Sequence, residues 1–358
     1  MKKVRELTEK EFQTFVASAK SKSYMQSAQM YQRYLGENRE EHLLGLVDDD
    51  GTILVAGLAH NIYSRFGKKV FAFSRGPIVK ENEKDLTKFL NECKKFLKAK
   101  HGMALQVTLN SLANEMSSDF AANMKKNGFK RLGEYEQVKW FYVLDFSKIE
   151  DLPKVKPRAK RMPVDDLKID PAAEQKLLGH FRTSHRRYIR YAEGRYNIKV
   201  RELKVSEYDK LQDLLEASGR AHGFAPRSQK FFEQMLKYFG KDVMAIVAET
   251  ADKVPVAAAF FILYGDEVIY LSGGFDREYK KMGAPHLVQW TMIKYAYANG
   301  YRQYNFWGTN PDPEDGVFQF KEGFHGEVRE FTDAFIAGLS PIGTIYTKKL
   351  RYAKHRSL

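Results

Sequence analysis

The sequence predicts an α/β protein built from two successive units of the same design, and three observations predict it. At 358 residues the chain is long enough for two separate cores, and its 43% apolar content is that of an ordinary globular protein. The order of strand-like and helix-like segments in the first half recurs in the second. Between the halves, Asp151–Pro163 carries Pro153, Pro157 and Pro163, a density that opposes helix and central strand alike and marks an extended connector.

In the first half, Leu43–Val47, a turn at Asp48–Gly51 and Thr52–His60 read as strand, turn and strand, and Lys69–Ser74 adds another strand before Gly76-Pro77. A helix follows, because Leu86, Phe89, Leu90, Cys93, Phe96 and Leu97 fall on one stripe with lysines outside it. Ala104–Leu109 supplies the next strand. The second half repeats the series with Asp242–Glu249, a turn around Asp252, Val254–Leu263, Glu267–Gly273, a helix from Gly283 to Asn299 and the strand Tyr304–Trp307. In that helix Val288, Thr291, Met292, Tyr295 and Ala296 repeat the helical spacing.

A net charge of +14 favours a polyanionic partner: nucleic acid, an anionic membrane surface or a phosphorylated small molecule. The single cysteine, Cys93, excludes an internal disulfide and any cysteine-rich zinc site, and its place on the apolar stripe predicts a core residue. The charged start MKKVRELTEKEF lacks a following apolar segment, and the longest apolar run, Val254–Tyr264, is too short to span a bilayer. The reading is a cytoplasmic protein. The tail cations Lys348, Lys349, Arg351, Lys354 and Arg356 leave open a peripheral contact with the inner face of a membrane, or a solvated terminal helix.

Candidate chemistry concentrates in the second half. Tyr301–Glu327 packs one lysine, four glycines and seven aromatics into a short frame. Val317–Phe324 reads as extended, with Val317, Gln319 and Lys321 on one face and Phe318 and Phe320 on the other. Lys321 is then either a surface charge or a positioned cation. Upstream, Lys176–Ile198 begins as a helix with an apolar stripe at Leu178, Phe181, His185, Ile189 and Ala192. Arg182, Arg186 and Arg190 run along another face, a row of like charges better tolerated beside an anion or offset by acids across the fold. The connector cations Lys154, Lys156, Arg158, Lys160 and Arg161 suit RNA phosphates or plain solvent equally. Arg227 stands just before a helix that Ser228 can cap, where a guanidinium adds to free backbone N–H groups in binding phosphate. His222 lacks a partner at metal-ligand spacing and reads as a loop histidine.

These segments together resemble the FemABX family, the peptidyltransferases that use aminoacyl-tRNA to build peptidoglycan side bridges. The resemblance rests on the closing aromatic-Phe-Lys box around Lys321, on Arg187-Tyr188-Ile189-Arg190 through Gly194, on the Arg227 region, on Tyr270-Leu271-Ser272-Gly273-Gly274, and on Gln26-Ser27 through Arg33. It implies two tandem GNAT-like (acyl-CoA N-acyltransferase) domains: residues 1–150, completed by 333–358, and residues 151–332. By resemblance Lys321 is the catalytic lysine, stabilising the oxyanion of acyl transfer. Arg227 and Arg33 meet the substrate diphosphate, and Tyr270 contacts substrate. Phe231 stands where the relative most like this chain in length has tyrosine, and Ser272 replaces the family's second tyrosine. The strand that carries an aspartate in some relatives has Thr108 here, so no carboxylate base is expected there. Nothing in the chain has sustained heptads, so it resembles the compact members without a coiled-coil arm.

The implied substrates are aminoacyl-tRNA, met through the connector cations and the arginine row, and UDP-MurNAc-pentapeptide or lipid II as acceptor. No cofactor, metal or stable nucleic-acid complex is expected. Two alternatives remain at this level: a CoA-dependent GNAT acyltransferase, against which the glycine-poor Lys280–Pro285 loop counts, and a non-catalytic basic protein that binds RNA or a membrane surface.

Overall fold

The computed structural model describes residues 2–80, 83–133, 138–223 and 225–355. They form two compact units: Met1–Lys139 with Glu330–Leu358, and Trp140–Arg329.

Unit one begins with β1 (Lys3–Glu6), α1 (Glu9–Ser18) and α2 (Ala28–Leu35), then β2 (Glu41–Val47), β3 (Ile53–Arg65), β4 (Lys68–Ser74) and the short β5 (Ile78–Val79). It continues through α3 (Glu83–Ala99), β6 (Gly102–Thr108), α4 (Phe120–Lys126) and β7 (Lys130–Gly133). Unit two comprises β8 (Trp140–Asp145), α5 (Pro171–His180), α6 (Thr183–Arg190), β9 (Lys199–Glu202), α7 (Tyr208–His222), α8 (Gln229–Phe239), β10 (Val243–Glu249), β11 (Pro255–Tyr264) and β12 (Glu267–Phe275). After it come α9 (Ala284–Ala298), β13 (Gln303–Thr309), α10 (Gly316–Glu322) and β14 (Glu327–Glu330). The chain then returns to unit one with β15 (Ala334–Gly338) and α11 (Pro341–His355).

The duplication is explicit in the strand orders, β1-β2-β3-β4-β6-β15-β7 and β14-β8-β13-β12-β11-β10-β9. Read from β1 and from β9, each sheet starts with an antiparallel meander and then has one parallel neighbour, β4 with β6 and β12 with β13. The helix between the parallel strands is the obligatory crossover, α3 in one unit and α9 in the other. Helix α3 buries the predicted stripe of Leu86, Phe89, Leu90, Cys93 and Leu97, and burial pushes the Cys93 thiol well above its ordinary value. Helix α9 is buried almost all round, with Trp290 and Met292 at the centre of the second core.

The boundary differs from the 150/151 division. Trp140–Asp145 pairs with β13, Gln303 opposite Asp145 and Thr309 opposite Trp140, so unit two starts at 140. The proline-rich segment is therefore a strap along unit two and not a link between units. Arg158 there donates to the Ala298 carbonyl at the end of α9 (2.8 Å), and Arg161 pairs with Asp242 (2.7 Å). Lys154, Lys156 and Lys160 are exposed.

The predicted continuous helix from Lys176 is interrupted. Helix α5 ends at His180, Phe181 is extended, and Arg182 stands at the N-cap position of a second helix, α6, which runs into a wider turn at Tyr191–Arg195. The apolar stripe survives the break, with Phe181, His185, Ile189 and Ala192 all buried.

Candidate active site

The parallel pairing of β12 with β13 covers only Glu267–Ile269 against Gln303–Asn305. Beyond it β12 continues along β11, skipping Leu271 in a bulge between Tyr270 and Ser272, while β13 continues along β8 with an irregularity between Asn305 and Gly308. The two strands therefore part from Tyr270 and Phe306 onward. In unit one the matching pair, β4 with β6, holds together from Lys69 to Ser74. Only unit two, among the described residues, opens its sheet in this way.

The irregularity in β13 has a local cause. Trp307 adopts φ of +64°, a left-handed conformation costly for a bulky side chain. Its N–H donates to Asn305 Oδ1 (2.8 Å) and its ring stacks on Phe141 at 4.5 Å, so two contacts hold it there. The next residue, Gly308, presents its carbonyl to the Nζ of Lys321, which donates to it.

Lys321 is 4% exposed and lies on α10, not on a strand. The alternation expected for Val317–Phe324 fails because Asp315 caps a helix: its carboxylate accepts from the N–H groups of Val317 (2.7 Å) and Phe318 (2.8 Å). At helical spacing Phe318 and Lys321 share the buried side, whereas Val317 and Gln319 face solvent. Burial pulls the Lys321 ammonium down to about 7, and the attraction of Asp315 opposes this only in part. A lysine in that state switches charge near neutral pH.

Helix α10 is held from behind. His185 on α6 donates from Nε2 to the Phe320 carbonyl (2.8 Å), and Arg182 pairs with Glu322 (2.7 Å) while its N–H reaches the Gly323 carbonyl (2.9 Å). The His185 ring meets His286 of α9 edge-on at 4.6 Å and Phe324 at 4.7 Å. Desolvation lowers both histidines, His286 to about 3, so the pair packs as neutral rings. Arg182 is thus a positioning residue for the helix that carries Lys321. Arg186 turns back to the Gly179 carbonyl and Thr183, and Arg190 is exposed.

Tyr270 and Ser272 lie on β12 where the strands part, both partly buried. Burial pushes the Tyr270 phenol up to about 12, so it is a neutral donor at physiological pH. Its hydroxyl lies over Gly273, where a Cβ would sit 2.2 Å from it. Nearby Tyr304 donates to Gln289 Oε1 (2.6 Å) inside the core. Arg227 precedes Ser228, which caps α8 by accepting from Phe231 N–H (3.4 Å), and its exposed guanidinium stands over the Phe231 ring at 5.3 Å. Arg227 and Phe231 thus pair with each other at the start of α8.

Arg33 belongs to unit one and is 7% exposed, paired with Glu37 at 2.7 Å. Gln26 and Ser27 of the same motif have structural work: Ser27 caps α2, and the Gln26 amide joins β3 and β4 through Leu58 N–H and the Ser74 carbonyl. Sequence reasoning missed the Gly308 carbonyl, the Trp307 bend and the His185–His286 contact. Of these only Asn305, a residue apt to hold a bend two positions on, left a readable signal.

A model of the FemAB family matches residues 7–251 and 245–350. The chain belongs to the FemAB family. An aminoacyltransferase FemA of Staphylococcus aureus (strain bovine RF122 / ET3-1) is 24% identical over 433 aligned positions, covering 96% of this chain and 97% of that protein. The FemA of strain MRSA252 is 23% identical over the same span. That alignment is longer than this FemAB chain, so the staphylococcal proteins carry inserted residues that it lacks. A crystal structure of FemX superimposes with a TM-score of 0.76 at 18% identity, over 96% of this chain and all of FemX. A tandem GNAT protein from the clavulanic acid biosynthesis pathway superimposes with a TM-score of 0.56 at 10% identity, over 95% and 99%. The FemAB fold here is accordingly a tandem GNAT-like arrangement, as its two matching sheets already indicate.

Proposed function

We propose that this FemAB protein is an aminoacyltransferase that takes an amino acid from its tRNA ester and attaches it to the stem peptide of a peptidoglycan precursor in bridge synthesis. The reading is carried by Lys321, a buried cation fixed to Gly308 where β12 and β13 part, in a chain whose relatives are named aminoacyltransferases.

The reaction needs little from the protein beyond placement and charge. The acceptor amine attacks the ester carbonyl, a C–N bond forms, and the C–O bond to the tRNA ribose breaks. The amine proton ends on the released ribose hydroxyl. The ester is already activated, so the dominant tasks are bringing two anionic substrates together and stabilising the oxyanion of the tetrahedral intermediate. Lys321 supplies the charge from α10, and Tyr270, kept neutral, supplies a hydrogen-bond donor from β12. Arg227, with Ser272 and Phe231 as further contacts, binds the UDP-linked or lipid-linked acceptor. The exposed cations Lys154, Lys156, Lys160 and Arg190 meet tRNA, whereas Arg158, Arg161, Arg182 and Arg186 are engaged in internal contacts. Both substrates are met in the cytoplasm, which is where we place the reaction.

Purified protein with charged tRNA and UDP-MurNAc-pentapeptide or lipid II is expected to yield a peptide heavier by one aminoacyl residue, read by mass spectrometry. Failure with every charged tRNA on both acceptors rejects the reading. Arg227→Ala is expected to raise KM for the UDP-linked acceptor by about tenfold or more, the loss of one charge-assisted phosphate contact, with kcat nearly unchanged. A fall in kcat at constant KM would remove Arg227 from the acceptor site.

A further inference from the structure

Unit one carries an exposed surface that the proposed chemistry does not use. At the tip of the β3–β4 hairpin Phe66 is 89% exposed, with the Arg65 guanidinium 5.0 Å from its ring centre. Three residues earlier, about 10 Å along the strand, the Tyr63 ring stacks on Tyr346 of α11 at 6.0 Å. Ile62, Tyr346 and Leu350 pack together on the sheet beneath, so hairpin and helix form one continuous surface.

Helix α11 turns Gly343 and Thr347 inward and leaves Ile342 and Ile345 outside, 60% and 56% exposed. At i, i+3 and i+7, Ile342, Ile345 and Lys349 share one outer face, with Lys348 beside it. Asn61–Val70 and Pro341–His355 contain no Asp or Glu. Among the described residues, Arg65, Lys68, Lys348 and Lys349 make no ion pair; Lys69 does, with Glu40. Of the tail cations, Arg356 lies outside the described residues.

We propose that this hairpin and helix face dock the protein on an anionic lipid bilayer. Cations without acids complement an anionic headgroup layer, and each contributes to partitioning there. Charge alone would fit RNA as well. What selects lipid is the apolar component: an exposed phenylalanine on a turn and two exposed isoleucines reach the acyl boundary, as on an interfacial amphipathic helix, whereas nucleic acid offers branched aliphatic side chains nothing comparable. No described helix is long and apolar enough to cross a membrane, so the contact is peripheral.

The test is co-sedimentation of the full chain with vesicles of equal phosphatidylglycerol and phosphatidylcholine, and with phosphatidylcholine alone. Binding to the anionic vesicles is expected to be at least about tenfold tighter and to weaken with salt. Phe66→Ser and Ile345→Ser are each expected to weaken it by about tenfold, an apolar side chain no longer buried. The pair Lys348→Glu, Lys349→Glu is expected to weaken it further. All of these positions are exposed, so an unchanged Tm accompanies each loss. Absence of binding at low salt, or wild-type binding by Phe66→Ser, overturns the proposal. So does a charge-reversed pair that loses retardation of a tRNA while keeping its vesicle affinity, which would make the surface an RNA site. No aminoacyl substrate enters this measurement, so its failure leaves the transferase reading untouched.

Discussion

Replacing Lys321 with alanine is expected to lower kcat by about 10²–10³-fold, the range for removing one oxyanion donor from a buried site. Affinity for the UDP-linked precursor should stay within about twofold, because the lysine acts on charge that develops in the transition state. Equal loss of binding would make Lys321 a binding residue. The same residue carries a stability cost whose sign follows from its shift. Its pKa is held below the ordinary 10.5, so the unfolded chain binds the extra proton more readily. The folded state is therefore penalised at pH below 10.5, with the full penalty below about 7. Lys321→Met, of similar length and uncharged, is expected to raise Tm by a few degrees at neutral pH while abolishing most turnover. A lower Tm would show that the bond to Gly308 is worth more than the burial of the charge costs.

Gly323→Ala is expected to act on catalysis from behind. A Cβ at that position would fall 2.0 Å from His185 Cε1 and 2.2 Å from Nε2. The ring cannot easily yield, since it is bonded to the Phe320 carbonyl and packed against His286 and Phe324. The substitution should cost about 1–3 kcal/mol as overpacking. By moving α10 it should also lower kcat by roughly 10- to 100-fold, the price of misplacing a catalytic group by a fraction of an ångström to an ångström. Nucleotide binding measured at the same time should persist. A variant with normal kcat and reduced Tm would separate the packing of α10 from the function of Lys321.

The repeated order of elements was legible in the sequence because it depends on local signals. Amphipathic spacing marked α3, apolar runs marked β10 and β11, and turn residues separated them. What failed depended on partners distant in sequence. Trp140–Asp145 reads as a strand in isolation, yet only its pairing with Gln303–Thr309 assigns it to the second unit. Phe318, Phe320 and Lys321 satisfy an alternating pattern as well as a helical one, since a seven-residue segment is too short for periodicity to decide. Asp315, a capping residue just before the first helical position, was the sequence signal that could have decided it. The connector cations show the opposite limit. Composition cannot distinguish Arg158 and Arg161, committed to a helix end and to Asp242, from three exposed lysines beside them.

Lys321 was visible as a candidate, but its state was not. Its burial, its bond to Gly308 and the fall of its pKa to about 7 arise from the Trp307 bend and the cap at Asp315. They make its charge state during transfer, and so its role, measurable. A base must be neutral and gains as pH rises through 7; an electrostatic stabiliser must be protonated and loses.

The decisive measurement is the pH dependence of kcat/KM for aminoacyl transfer by the wild-type protein and by Lys321→Arg. The wild type is expected to show a descending limb with a midpoint near pH 7, set by deprotonation of Lys321 in the free enzyme. Arginine stays charged throughout, so Lys321→Arg should retain measurable activity and lose that limb. A wild-type rate that only rises through pH 7, or a descending limb that persists unchanged in Lys321→Arg, would contradict the electrostatic role assigned to Lys321.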